Sequence, residues 1–191
     1  MRERPAPGEV HAWWARLDVG PSDLAPMCAV LLDAERRRAA RFYFADARRR
    51  HAVARAIVRR LLAAYLGCEP IDVPIVTAPS GAPALAGGSG LRFGLARAGD
   101  TALVAVASDR RVGVDLESVA GATVARLSAW VRREALLKAR GEGLTHVYAG
   151  AVADDAAPPG WTVRELDVVP HHVAALAIEG PLDAVRVARW A

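Results

Sequence analysis

Residues 112–117 read Val-Gly-Val-Asp-Leu-Glu, an apolar stretch that ends in two carboxylates. The pattern predicts a β-strand, and side chains two apart on a strand share a face, so Asp115 and Glu117 should project together. Two acids on an otherwise apolar strand need a compensating charge. Mg²⁺ suits them, because it takes one or two carboxylates and leaves positions for water and substrate phosphate. A strand end whose acids simply face solvent is the open alternative.

Residues 130–138 read Trp-Val-Arg-Arg-Glu-Ala-Leu-Leu-Lys and lie in a helix predicted over 124–139. Glu134 and Lys138 are four apart, so they share one helical face. In one interpretation they form a surface ion pair. In the other, Glu134 is a third metal ligand, and the Lys138 ammonium beside it is a proton donor or charge stabiliser. Lys138 is the one lysine among 25 basic residues. An ammonium can release a proton where a guanidinium effectively cannot, which favours a chemical role.

The positive charge of the chain is concentrated in one region. The formal net charge is +4, yet ten arginines fall between residues 36 and 60. On the helix predicted over 46–66, Arg48, Arg55 and Arg59 recur at spacings of seven and four and predict a basic stripe. Such a stripe indicates an anionic ligand, with nucleic acid as one alternative. We expect no nucleic-acid role, because part of this helix must also face a core.

The predicted elements suggest two halves of similar plan. A strand over 10–17 precedes helices over 33–44 and 46–66, a loop-rich stretch over 68–89, and strands over 91–107 and 111–116. After the helix over 124–139 come strands over 161–169, 172–178 and 184–190. This order predicts an α+β fold with halves at residues 1–108 and 109–191. Two halves in one chain favour a monomer.

The composition predicts a soluble, cytoplasmic protein without a membrane partner. Hydrophobic residues make up 53% and charged residues 24% of the chain, as in ordinary globular proteins. No apolar run approaches the roughly 18 residues of a membrane span. Cys28 and Cys68 lack neighbours at zinc-ligand spacing, so we expect free, mostly buried thiols.

Taken together, the two opening stretches resemble the paired signatures of Sfp-type 4′-phosphopantetheinyl transferases, which move phosphopantetheine from coenzyme A to a carrier-protein serine. The second signature, Trp-x-x-Arg-Glu-Ala-x-x-Lys-Ala at 130–139, continues as Gly-Glu-Gly-Leu at 141–144. Residues 10–13, 41–43 and 48–62 are similar to the family's N-terminal half, and residues 173–177 to its closing strand. The resemblance implies the family's fold, two α+β halves packed as a pseudo-dimer with the site between them.

The resemblance also implies roles for individual residues. Asp115, Glu117 and Glu134 are expected to hold Mg²⁺ and the coenzyme A pyrophosphate. Glu134 is expected to help deprotonate the acceptor serine, directly or through water, and Lys138 to stabilise the transferring phosphate or protonate the leaving 3′,5′-ADP. The expected nucleotide-binding positions are Arg41, Arg50, Pro83, Arg97 and Arg133. The implied partners are coenzyme A and an apo acyl or peptidyl carrier protein of polyketide or nonribosomal peptide biosynthesis.

Three features depart from the family pattern. Ala82 stands where members usually carry a basic residue before Pro83, and Ala96-Arg97 stands in place of Ser-His. Arg97 can replace the histidine as a phosphate contact, whereas the two alanines supply no donor. Only twelve residues separate Glu117 from Trp130, in a segment that is longer in the family and lines its carrier side. The alternative function is therefore a repurposed member that keeps the fold and cleft but has another reaction or acidic ligand.

Overall fold

The computed structural model describes residues 1–119, 123–142 and 157–190 of the 191-residue chain. Within these ranges the strands are β1 Glu9–Arg16, β2 Ile75–Thr77, β3 Pro83–Leu85, β4 Leu91–Ala98, β5 Thr101–Ser108, β6 Val112–Ser118, β7 Trp161–Leu166, β8 His172–Glu179 and β9 Ala184–Arg189. The helices are α1 Pro21–Cys28, α2 Asp33–Ala40, α3 Ala45–Leu66 and α4 Val124–Arg140, with one 3₁₀ turn at Pro70–Asp72.

The first sheet has the order β4-β5-β1-β9. β4, β5 and β1 are antiparallel neighbours, and β9 pairs parallel with β1. β4 and β5 form a hairpin with a two-residue turn at Gly99 and Asp100. Gly99 has φ 53, in the left-handed region that tight hairpin turns require.

The second sheet has the order β6-β8-β7, with both pairs antiparallel. Ala175 on the central strand pairs with Asp115 on one side and Glu165 on the other. These two carboxylates therefore lie at the same level of the sheet, two strands apart. β2 and β3 form a separate short hairpin.

The two sheets pack face to face, and a long helix covers the outer face of each. Leu116 and Leu176 of the second sheet join Leu103 of the first in one buried cluster. Leu61 of α3 packs on the opposite face of the first sheet, and Ala135 of α4 on the opposite face of the second. The layer order is α3, first sheet, second sheet, α4.

Helix α3 follows from its apolar spacing. Val53, Ile57, Leu61 and Tyr65 recur every four residues, and all four are buried. The helix ends at Gly67, whose φ of 70 gives the left-handed cap that glycine adopts without strain.

The arginines of α3 do not form the basic surface stripe that the spacing predicts. Arg59 is 0% exposed and donates to Glu35 Oε2 at 2.7 Å and to backbone carbonyls in the segment 70–73. Arg55 also donates to Glu35. Arg48 donates to the carbonyls of the preceding loop at 3.1 Å. The stripe prediction was wrong because buried or local acceptors on other elements take up these guanidiniums.

A glycine determines how closely α4 approaches β6. A Cβ added at Gly113 would overlap the carbonyl oxygen of Ala135 and the backbone nitrogen of Ala139, and would stand 3.0 Å from the Ala139 Cα. Gly94 on β4 has a related role, since a Cβ there would stand 3.1 Å from the Gly113 Cα. Backbone therefore lies against backbone on both sides of Gly113.

The predicted α+β class is confirmed, and most strands and helices lie where the sequence places them. The sequence does not predict α1, because the pair Gly20-Pro21 is typical of a turn. Pro21 instead occupies the first turn of the helix, where its missing N–H costs nothing. The helix expected to reach residue 44 ends at Ala40. Part of the continuation at 141–144 and part of the loop before Trp161 lie outside the described residues.

The expected strand over 184–190 is present, but as β9 it joins the first sheet beside β1. The boundary after residue 108 and the pseudo-dimer relation of the halves stay predictions. The two cysteines are free, but the expectation of burial was wrong for Cys68, which is exposed just after α3 ends. None of the helices in the described ranges is long and apolar enough to cross a membrane.

We predict that Gly113→Ala lowers the free energy of unfolding by roughly 1–3 kcal/mol, because its methyl group forces α4 away from β6. Urea denaturation measures the change. Gly88→Ala is the matched control, since nothing lies within 4 Å of a Cβ added there. Equal effects of the two variants would contradict the packing argument.

Candidate active site

Two carboxylates of β6 face α4 rather than the first sheet. Val114 and Leu116 point into the cluster between the sheets, so the alternation of the strand directs Asp115 and Glu117 to the opposite side. Asp115 is 5% exposed, and Glu117 at the strand end is half-buried. The alternative of solvent-facing acids is therefore wrong for Asp115.

Helix α4 brings an acid and an ammonium to these carboxylates. Glu134 is 4% exposed, and Lys138 Nζ donates to Asp115 Oδ1. Lys138 keeps 39% of its side chain exposed, whereas the Asp115 side chain that it contacts is 7% exposed. Among the described ion pairs, the partner of Lys138 is Asp115 on the strand, not Glu134 one helical turn away.

All three acids are harder to ionise than usual. Burial raises the pKa of Asp115, and the Lys138 ammonium opposes that rise. Burial and then the Asp115 carboxylate raise the pKa of Glu117. Burial also raises the pKa of Glu134, with Lys138 opposing and the other two acids adding to the rise. Asp115 acts on both glutamates and Glu117 acts on Glu134, so the three carboxylates lie within electrostatic reach of one another.

The carboxylate oxygens at this site are suitable ligands for a hard divalent cation. Among the described residues, Asp115 Oδ2 and Glu134 Oε1 are buried without a hydrogen-bond partner. Buried carboxylate oxygens of that kind are costly unless a cation or donor reaches them, and Mg²⁺ prefers oxygen ligands. In residues 1–119, 123–142 and 157–190, however, no three acidic, His or Cys side chains stand close enough together to hold a metal. The full ligand triad stays a prediction.

Most of the expected nucleotide-binding residues lie elsewhere in the fold. Arg41 caps α2 and Arg97 lies on β4, both exposed, while Arg50 is on α3 and Pro83 is in β3. Arg133 is on α4, where its charge acts on Glu134. The structure thus gathers the acids and Lys138 between β6 and α4. A site between the two halves stays a prediction.

Helix α3 also carries a histidine, His51, whose surroundings the sequence does not predict. The ring of His51 lies 4.9 Å from that of Phe42, measured between centroids. Burial, together with the guanidiniums of Arg97, Arg38 and Arg55, lowers the pKa of His51 to about 4. We call Arg38, His51 and Arg97 the basic corner. Its arginines come from α2 and β4, so spacing within the sequence gave no signal of it.

Similarity to a known protein shows to which family the chain belongs. No protein-family model matches the chain. It is similar to 4′-phosphopantetheinyl transferase HetI from Nostoc sp. strain PCC 7120, with 32% identity over 209 aligned residues that cover 90% of this chain and 88% of that protein. The similarity extends over nearly the whole of both proteins. The chain belongs to the 4′-phosphopantetheinyl transferase superfamily, and it is a transferase enzyme.

We predict that His51→Asn changes how stability depends on pH. Because the folded-state pKa of His51 lies near 4, below the usual 6.5, protonation favours the unfolded state. The contribution of the neutral ring is complete above pH 6.5 and is lost as pH falls toward 4. Urea unfolding from pH 7 to 4 should show wild type losing stability relative to H51N. His171→Asn, in an exposed turn, is the control; a pH-independent difference for H51N would contradict this prediction.

Proposed function

We propose that this chain transfers the 4′-phosphopantetheine group from coenzyme A to a serine of an apo acyl or peptidyl carrier protein, in a Mg²⁺-dependent reaction. The observation that carries the proposal is the cluster of three acids and one ammonium between β6 and α4. The named activity of the Nostoc relative supports the same reaction.

The metal ligands in this proposal are Asp115, Glu117 and Glu134. The buried, unpartnered oxygens of Asp115 and Glu134 are the structural support. A bound Mg²⁺ supplies positive charge that neutralises phosphate oxygens. The Lys138 ammonium partly compensates the Asp115 carboxylate.

The transfer forms a bond between the serine Oγ and phosphorus and breaks the pyrophosphate P–O bond, so 3′,5′-ADP leaves. Glu134 acts as the general base, directly or through a water, and burial raises its pKa, which makes the carboxylate a stronger base. Lys138 stabilises charge on the transferring phosphate or protonates the leaving group. The Lys138 side chain is partly exposed, so in this proposal its ammonium contacts the substrate phosphate from its position beside Asp115.

In this proposal the nucleotide end of coenzyme A is bound by five residues: Arg41, Arg50, Pro83, Arg97 and Arg133. The first four lie in the first half of the chain, where the basic corner concentrates guanidinium charge. Guanidiniums pair with phosphate through parallel hydrogen bonds. A neutral His51 within the corner can donate or accept a hydrogen bond without adding repulsion between the arginines.

Two observations favour a second candidate, a repurposed family member with another reaction or acidic ligand. Ala96 is buried among apolar side chains between the sheets, so it offers no donor to a ligand. The segment between Glu117 and Trp130 is short, at twelve residues. These features bear on acceptor recognition and leave the acid cluster intact.

We expect wild-type protein with coenzyme A and Mg²⁺ to add phosphopantetheine to at least one of a panel of apo carrier proteins, detected as a mass gain on the carrier. Glu134→Gln and Lys138→Met should lower kcat/KM on the order of a hundredfold or more, because each removes a proton-transfer or charge-stabilising group. Glu165→Gln is the matched control on the same face of the second sheet. Coenzyme A binding without transfer to any carrier would favour the repurposed member instead.

We also expect Mg²⁺ to raise the unfolding temperature of the wild-type protein at constant ionic strength, since a ligand that binds only the folded state stabilises it. Asp115→Asn should abolish the rise and E165Q should keep it. A thermal shift retained in D115N would place the ion elsewhere.

A further inference from the structure

The turn between β4 and β5 carries a carboxylate that two arginines of α3 share. Arg50 Nε donates to Asp100 Oδ1 at 2.7 Å, and Arg50 Nη2 donates to Oδ2 at 3.2 Å. Arg49 Nη2 donates to Oδ1 at 3.3 Å. The backbone carbonyl of Asp100 also accepts from Leu17 N at 2.8 Å. Asp100 is therefore held at its backbone as well as at its side chain.

The contact with Asp100 occupies only one edge of the Arg50 guanidinium. A guanidinium presents five N–H donors in one plane. Asp100 accepts from Nε and from one N–H of Nη2, which leaves both N–H groups of Nη1 and one of Nη2. One N–H of Nη1 and the remaining N–H of Nη2 are parallel and form the second edge, and such an edge can bind a phosphate through two parallel hydrogen bonds. The Arg50 side chain is 35% exposed.

We propose that Asp100 is a positioning residue, which holds the Arg50 guanidinium so that its second edge receives a phosphate of the nucleotide part of coenzyme A. This inference rests on the proposed function, because it takes Arg50 as a nucleotide contact. An arginine side chain has several rotatable bonds, and a carboxylate that fixes it in advance removes part of the ordering cost of binding.

Neutralising Asp100 should change anion binding near Arg50 in opposite directions through net charge and through the positioning of the guanidinium. Removing the carboxylate makes this region more positive, so charge alone should tighten the binding of an anion. Loss of positioning should weaken the same binding, because the guanidinium is no longer fixed. The direction of the change therefore separates the two effects.

The experiment measures binding of 3′,5′-ADP to the full-length protein by calorimetry at fixed ionic strength. We expect Asp100→Asn to raise Kd about tenfold. Asp46→Asn is the matched control: it removes the same charge from a carboxylate that pairs with Arg49 at 3.1 Å and is 63% exposed. D46N should leave Kd unchanged or slightly lower. Thermal unfolding of both variants reports whether the fold is kept.

A double-mutant cycle tests whether Asp100 acts through Arg50. In an Arg50→Ala background, D100N should have little further effect on Kd, whereas in an Arg49→Ala background it should keep its effect. In steady-state kinetics, D100N should raise KM for coenzyme A while kcat and KM for the carrier stay near wild type. If D100N proves unstable, Arg50→Lys is the second variant, because an ammonium lacks the two-edged geometry, and its Kd should rise similarly.

Tighter or unchanged 3′,5′-ADP binding in D100N, or a full loss that persists in the R50A background, would overturn the positioning role alone. A wild-type protein that binds neither 3′,5′-ADP nor coenzyme A would overturn the proposed function, and this inference with it. The two failures are distinguished by the wild-type measurement.

Discussion

The close contact between β6 and α4 at Gly113 is the constraint on which the acid cluster depends. Because Gly113 has no side chain, the helix backbone lies directly against the strand, and Asp115 and Glu134 become almost fully buried. Isolated charges in such a place are costly, and removing one partner of a buried pair leaves the other uncompensated. The ion pair between Lys138 and Asp115 is therefore a consequence of tight packing as much as of chemistry.

Charged groups are neutralised differently between β6 and α4 and around α3. Between β6 and α4, negative groups are buried, and one ammonium offsets part of their repulsion. On α3, positive groups are numerous, but Glu35 and Asp100 neutralise several of them, and His51 stays uncharged. Exposed arginines on neighbouring elements include Arg41 at the end of α2 and Arg97 on β4. The proposed function requires such a distribution. The arginines would bind the nucleotide phosphates of the ligand, and the acid cluster would hold the metal ion at its reacting group.

Local patterns in the sequence predict the strands, the long helices and the residues of the acid cluster, because each depends on spacing of two or four. They do not predict which partner each charge takes. Arg59 has the spacing of a surface residue, yet its acceptor Glu35 is 24 positions away in another helix. Lys138 is equally well spaced for Glu134, and the choice of Asp115 follows only from the packing of α4. The metal triad and the nucleotide-binding arginines come from the family resemblance and stay predictions.

The pairing of β9 with β1 bears on how the chain is made. β1 lies within the first twenty residues, while the strand that covers its outer edge is residues 184–189. During synthesis the ribosome releases β4 and β5 well before β9, so the outer edge of β1 stays uncovered until residues 184–189 have been made. Closing it pairs two strands that lie far apart in the sequence. Long-range pairing of this kind is slow, so the nascent protein is exposed to wrong pairing or to chaperones in the meantime.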